Sequence, residues 1–250
     1  MFSFPGRKSR VSELIEQAIE RTNHKLTVRD MSSWLIDVFD VQARASLPDM
    51  LYCAERATVK LSEAQKAKIA VATKLLKDWD YQFRPDSSAA SVFAAWELNI
   101  AYYLHEKKIT SPVMRISMNY AAPVNQFTWI SIKEWANHMR ESGESTRAEY
   151  CAVNEIAGDD CLNFMVYTLV KGIEDVEVRK GHYDAATNNW KYGTFATMKL
   201  EHQPFSQTPL KYWFDRTVEG KGNKRTVNLF WDMPNLKERY ESNAGPVCRM

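Results

Sequence analysis

Five histidines, four cysteines and a scatter of serines and acids are the groups in this 250-residue chain that could do chemistry. None stands at a spacing that specifies a reaction. No Gly-x-Ser-x-Gly elbow occurs to present a serine, and no two histidines stand at His-x-x-x-His spacing to share a metal. A Ser-His-Asp triad is assembled in space rather than in sequence, so composition leaves it open. His182 and His202 fall at predicted strand boundaries; His24, His105 and His138 fall at helix ends or on helix faces, where a lone histidine is usually structural or solvated. Asp159-Asp160 reads first as a helix N-cap, because a carboxylate there satisfies free backbone N–H groups, and only second as a pair for acid–base work. Gly220-Lys221-Gly222 would cradle a phosphate if a helix followed, but the residues after it alternate like a strand.

Cys53, Cys151, Cys161 and Cys248 show no Cys-x-x-Cys and no zinc-ligand spacing. Cys151 and Cys161 are close enough in sequence to be bridged, yet small buried or surface thiols are the expectation. Neither metal nor cofactor is expected. Lys+Arg 33 against Asp+Glu 31 leaves a net charge of +2, too balanced to indicate nucleic acid or an anionic membrane as partner. A hydrophobic content of 45% with eight tryptophans describes a globular chain with a substantial core. No apolar run approaches the length of a membrane span, no signal-peptide core follows Met1 and no Asn-x-Ser/Thr site occurs, so the chain reads as soluble and untargeted.

Helical spacing dominates the elements that would position these groups. Val11, Leu14, Ile15, Ala18 and Ile19 share one face, in a run ended by Asn23-His24-Lys25. Thr27 with Asp30 forms a capping-box pattern opening a helix through Met31, Trp34, Leu35, Val38 and Phe39; Ser62 with Gln65 opens another through Ile69, Ala72 and Leu76. Asp86-Ser87-Ser88 precedes Ala89, Val92, Phe93, Trp96, Ile100 and Tyr103. Residues 110–128 read as irregular, Ser131 with Glu134 as the cap of a short helix through His138, and Gly158-Asp159-Asp160 as the start of a long one stopped at Lys180-Gly181. After Gly181 the period changes to two: Ala196, Met198 and Leu200, then Val227, Leu229 and Trp231, are the inward positions of strands. Aromatic residues Tyr212-Trp213-Phe214 read as core, like Phe93 and Trp96. The fold class is therefore α+β, with a helical segment over 1–180 and a strand-forming segment over 181–250 with a few antiparallel strands.

An ordered set of short motifs narrows this further. Trp190-Lys191-Tyr192-Gly193, His202-Gln203-Pro204 and Gly220-x-Gly222 followed by Thr226-Val227-Asn228 appear in this order. Upstream stand Arg10-Val11-Ser12-Glu13-Leu14, Leu26-Thr27-Val28-Arg29-Asp30-Met31, Leu75-Leu76-Lys77-Asp78-Trp79-Asp80 and Ser88 to Trp96, and Gly245-Pro246-Val247-Cys248-Arg249 closes the series. The set resembles an interior and carboxy-terminal part of the large (beta) subunit of the penicillin amidase (penicillin acylase) family of N-terminal-nucleophile hydrolases.

The resemblance implies part of a four-layer αββα sandwich and, for the complete protein, hydrolysis of a linear amide bond with removal of the acyl group. An amino-terminal serine attacks, its own α-amine acts as base, and an oxyanion hole holds the tetrahedral intermediate. By the register of the motifs, that serine, the oxyanion donors that follow it and the catalytic asparagine all precede Met1, so no catalytic residue is expected in this chain. Gly193-Thr194 is the one Gly-Ser/Thr/Cys junction, and cleavage there would sever a predicted strand. Arg10 alone matches a position near the family's active site, where an arginine organises substrate and the asparagine; its plain alternative is a surface cation near a helix start. Trp190, Gly193, His202, Pro204, Gly220, Gly222, Thr226, Val227 and Asn228 are then framework. The expectation is an interior piece truncated at both ends, one domain, inactive alone and poorly soluble because sheet edges stay unpaired. Its partners would be a small-molecule acyl-amide substrate and the rest of an alpha/beta heterodimer. The alternative is a non-catalytic pseudoenzyme or helical interaction module derived from the family. Acyl specificity and compartment are not legible, the family being mostly exported.

Overall fold

The computed structural model describes residues 5–22, 25–104, 122–153, 158–202, 204–223, 225–228 and 247–249. Eight α-helices and a three-stranded sheet lie among them, the α+β composition that the two periods imply.

Polar side chains fix most helix starts. Helix α1 spans Pro5–Thr22, with a proline at its first position, where the missing N–H has no partner to lose. Helix α2, Val28–Leu35, is opened by the expected box: Thr27 Oγ1 accepts from the Asp30 amide at 3.3 Å, and the Thr27 amide donates to Asp30 Oδ2 at 2.9 Å. This helix stops before Val38 and Phe39, against expectation. Phe39 instead forms a bridge with Gln82, with Asp40 N donating to Tyr81 O at 3.0 Å and Phe83 N to Val38 O at 2.9 Å. Helix α3 follows at Val41–Glu55, and α4, Glu63–Lys77, carries the Ser62–Gln65 box. Helix α5, Ser88–Leu104, begins where Ser87 Oγ accepts the Ala90 amide at 3.2 Å.

Helix α6, Ala122–Ser142, corrects the expectation of irregular structure over 122–128. Pro123 lies in its first turn, where proline is tolerated, and the expected cap at Ser131 falls in mid-helix; residues 110–121 lie outside the described residues. Helix α7, Cys161–Lys180, starts at Asp160, whose Oδ1 accepts the Leu162 and Asn163 amides at 2.8 and 3.0 Å, and ends at Gly181 with φ of 74°.

The chain divides into two compact units. One comprises residues 43–79 and 92–189. Its core includes Trp96, Trp135, Phe164 and Ile100, and the Trp96 indole donates to Met165 O at 3.1 Å and Thr168 Oγ1 at 3.2 Å. Gly172 lies where a Cβ would stand 2.9 Å from the Trp96 amide nitrogen, so only glycine lets α7 pass this close. Cys151 and Cys161 are joined in a disulfide, correcting the expectation of thiols. A short 3₁₀ turn at Glu149–Cys151 returns the chain to the start of α7, where Ala148 N donates to Asp159 O at 2.8 Å and Cys161 N to Thr146 O at 2.9 Å, bringing the two Cα atoms to 5.1 Å. Cys53 is a buried thiol, its pKa pushed up to about 12 by that burial.

Glu177, on α7, carries a prediction about acid. Burial works against its charge, but hydrogen bonds from Lys68 and His182 outweigh that and hold its carboxyl below the ordinary glutamate range. A depressed carboxyl stabilises the fold above its unfolded value, roughly 4.3, and that contribution is lost as pH falls through the lower folded value. Glu177→Gln is expected to lower the melting temperature at pH 7, with the gap to the native chain closing as pH is brought down through 4. A gap that is constant from pH 7 to 3 would show the ion pair to be irrelevant.

The second unit comprises residues 1–42, 80–91 and 190–250. Strand β1, Thr197–Glu201, lies between β2, Arg216–Glu219, antiparallel to it, and β3, Val247–Arg249, parallel to it. The strand expected at Val227 is absent: residues 226–228 form bends, while Leu229 and Trp231 lie outside the described residues. Tyr212-Trp213-Phe214 is not core either. It forms the four-residue helix α8, Lys211–Phe214, with Tyr212 80% and Trp213 75% exposed. So short a helix covers little, and of the three rings Phe214 packs best, against those of His202 and Phe205.

Candidate functional site

The residues expected to be framework, from Trp190 to Asn228, lie within the second unit, and their hydrogen bonds say what they do. Trp190 and Tyr192 are buried; Tyr192 N donates to Ser87 O at 3.2 Å, and its ring meets Phe83 edge-on at 5.1 Å. Gly193 N donates to Pro85 O at 2.8 Å, and a Cβ there would stand 2.9 Å from those of Pro85 and Glu219. Gly220 N donates to Ala196 O at 2.5 Å, closing the end of the β1–β2 pair.

Gly222 is clamped on both sides. Its amide donates to Phe83 O at 2.8 Å, and its carbonyl accepts the Tyr192 hydroxyl at 2.9 Å. Its φ of +73° is the left-handed conformation that suits glycine. The loop beyond folds on itself: Thr226 Oγ1, fully buried, accepts the Asn223 amide at 2.9 Å and donates to Asn228 O at 2.6 Å. These local bonds compete with a sheet ladder, in keeping with the bends at residues 226–228. Asn228 reaches back across the chain, its amide donating to Asp37 O at 2.8 Å and its Nδ2 to Leu35 O at 3.0 Å.

Beneath the loop is a buried charge pair. Asp40 is 0% and Arg225 5% exposed. Asp40 Oδ2 accepts from Arg225 Nε and Nη2 and from Asn223 Nδ2, each at 2.8 Å, while Oδ1 accepts the Gln42 amide at 2.9 Å. A carboxylate so far from water is tolerable because cation and amides meet it together.

Arg10 sits apart from that pair, on α1. Its Nε and Nη2 donate to the two oxygens of Asp37 at 3.0 and 2.7 Å, Nη1 donates to Glu13 at 3.2 Å, and the Phe39 ring lies 4.5 Å from the guanidinium. The Asp37 hydrogen bonds raise its pKa further above the usual arginine value. With 14% of its side chain exposed, Arg10 is not the solvated surface cation of the plainer reading.

Around His202 the structure sets a serine, a histidine and an aspartate together without making a triad. Ser206 Oγ is bonded to Asp215 Oδ1 at 2.9 Å and to the His202 carbonyl at 2.7 Å, oxygens of the carboxylate and the main chain and not the imidazole. The ring stacks on Phe205, and its buried Nδ1 finds no partner among the described residues. Pro204 opens the 3₁₀ turn Phe205–Gln207 and is exposed; Val227 is half-buried. Among the described residues no group of His, Cys, Asp or Glu could hold a metal, and no helix is long and apolar enough to cross a membrane. The motifs thus form an interlocked turn-and-strand assembly. Asp37, Asp40, Asn223 and Arg225 are its unforeseen members, and two acids in the otherwise apolar run from Trp34 to Val41 were the available signal.

These observations define an α+β framework in which the residues of the downstream motifs hold turns and loop in register by hydrogen bonds. The penicillin amidase family model matches residues 1–250, and the chain belongs to that family. No curated protein sequence matches it significantly.

Proposed function

We propose that this chain is a framework segment of a penicillin-amidase-like amidohydrolase, in which an amino-terminal serine outside these residues cleaves an acyl-amide bond. The serine oxygen attacks the amide carbonyl, the serine's α-amine takes its proton, and backbone donors hold the oxyanion until the amine leaves and water releases the acyl group. No cofactor enters this chemistry. The chain's own residues supply helices around the acyl pocket, closing strands and Arg10 as active-site support, with the remainder of an alpha/beta heterodimer and a small acyl-amide as partners. The observation that carries the reading is the commitment of Gly193, Gly222, Thr226 and Asn228 to backbone and loop hydrogen bonds. Groups so engaged hold a fold in register and are poorly placed to attack or transfer protons.

The purified chain, incubated with chromogenic acyl amides such as phenylacetyl and aliphatic anilides, is expected to give no turnover above buffer. Mixing with a complementary polypeptide that begins with serine should restore hydrolysis. Turnover by the chain alone that persists through purification would overturn the proposal; failure of every complementing polypeptide would favour the non-catalytic module.

A further inference from the structure

Resting on the reading of Arg10 as active-site support, the geometry points to Asp37 as the residue that positions Arg10, with Asn228 of the Thr-Val-Asn triplet holding Asp37 in turn. A guanidinium on a flexible stem has a defined plane only where paired acceptors fix it. Asp37 is that acceptor here, taking Nε and Nη2 on separate oxygens at 3.0 and 2.7 Å, with the Phe39 ring 4.5 Å from the guanidinium carbon. Asp37 is itself on non-helical chain just past α2, its amide donating to Trp34 O at 3.0 Å and its Oδ1 accepting the Phe39 amide at 3.2 Å. Two bonds from Asn228 hold the same stretch from the loop, its amide to Asp37 O at 2.8 Å and its Nδ2 to Leu35 O at 3.0 Å. The family triplet therefore acts on Arg10 through one intervening residue, holding the main chain of Asp37 while the carboxylate of Asp37 holds the guanidinium. Glu13 touches the same guanidinium through Nη1 alone, at 3.2 Å, and fixes no plane.

Arginine reactivity reads this out on the full chain with no need for turnover. Phenylglyoxal adds to the neutral guanidine, so a paired arginine reacts slowly. Adduct formation would be followed peptide by peptide by mass spectrometry, with buried Arg225 as the internal report of folding. Asp37→Asn, which keeps the shape and removes the charge, is expected to speed modification of Arg10 about tenfold, because losing the paired anion enlarges the neutral population, with Arg225 unchanged. Asn228→Ala should speed Arg10 less, Glu13→Gln least, and Asp37→Glu should return most of the protection. An Arg10 rate in Asp37→Asn within about threefold of native would overturn the assignment, since a guanidinium held by that carboxylate cannot lose it so cheaply. Arg10 and Arg225 becoming reactive together would overturn it too, because Asp37 would then be holding the whole unit. A chain that proves not to serve an amidohydrolase would leave these rates unaltered, so the two readings fail separately.

Discussion

Arg225→Ala is expected to destabilise the unit built from residues 1–42, 80–91 and 190–250 by about 3–5 kcal/mol, the usual cost of leaving a buried charge without its partner. The size follows from what remains. Asp40, 0% exposed, would keep the amide donor from Asn223 and the backbone N–H from Gln42 but lose both guanidinium bonds. It must then stay charged in an apolar setting, take up a proton, or open the loop to water, and each route costs free energy. Replacing both partners with apolar groups of similar volume, as in Asp40→Leu with Arg225→Met, should return much of the loss, because desolvation of both ions disappears with them. Since the chain has two units, the effect is best localised to this one. Amide hydrogen exchange at Gly193 and Gly222, both bonded within this unit, reads it locally.

Gly222→Ala is the second large effect, with a different origin. The left-handed backbone at φ of +73° disfavours any side chain, at about 1–3 kcal/mol. Here a steric term adds to it. A Cβ at this position would fall inside contact distance of the Asn228 carbonyl oxygen and 2.6 Å from Thr226 Oγ1. Those atoms are backbone and the buried hub of the loop, so neither yields cheaply. The sum is expected to reach about 3 kcal/mol or more, and accelerated exchange at the Gly222 amide would report it. Gly143, which also has positive φ but nothing within 4 Å of a Cβ, is the control: Gly143→Ala meets the conformational term alone and should cost clearly less.

How far the sequence could be read varies with the range of the interaction concerned. Thr27–Asp30, Ser62–Gln65 and Asp160 with Gly181 were legible because a cap is decided by residues two to four positions apart. Strand β1 was legible from its alternation. The helix through Val38 and Phe39 was misread because its spacing is helical while its partners, Tyr81 and Gln82, lie some forty residues away. At Val227 and Asn228, the described part of the second alternation, hydrogen bonds from Asn223, Thr226 and Asn228 that no two-residue period reveals make bends instead of a strand. The disulfide escaped for the same reason, since ten residues of separation say nothing until a turn folds them together. Membership of the penicillin amidase family was readable from the motifs, whereas the reason for the motifs was not. That reason is the loop that Gly222, Asn223, Arg225 and Asn228 fold onto Leu35, Asp37, Asp40 and Phe83.

The signature loop at residues 222–228 is thus a lock onto residues 35–40. A double-mutant cycle on Asp40 and Arg225, with each residue changed to alanine singly and together and stability read by hydrogen exchange in this unit, tests that directly. A coupling of at least about 2 kcal/mol is expected between these residues, 185 positions apart. Single losses that simply add, to within about 0.5 kcal/mol, would contradict it.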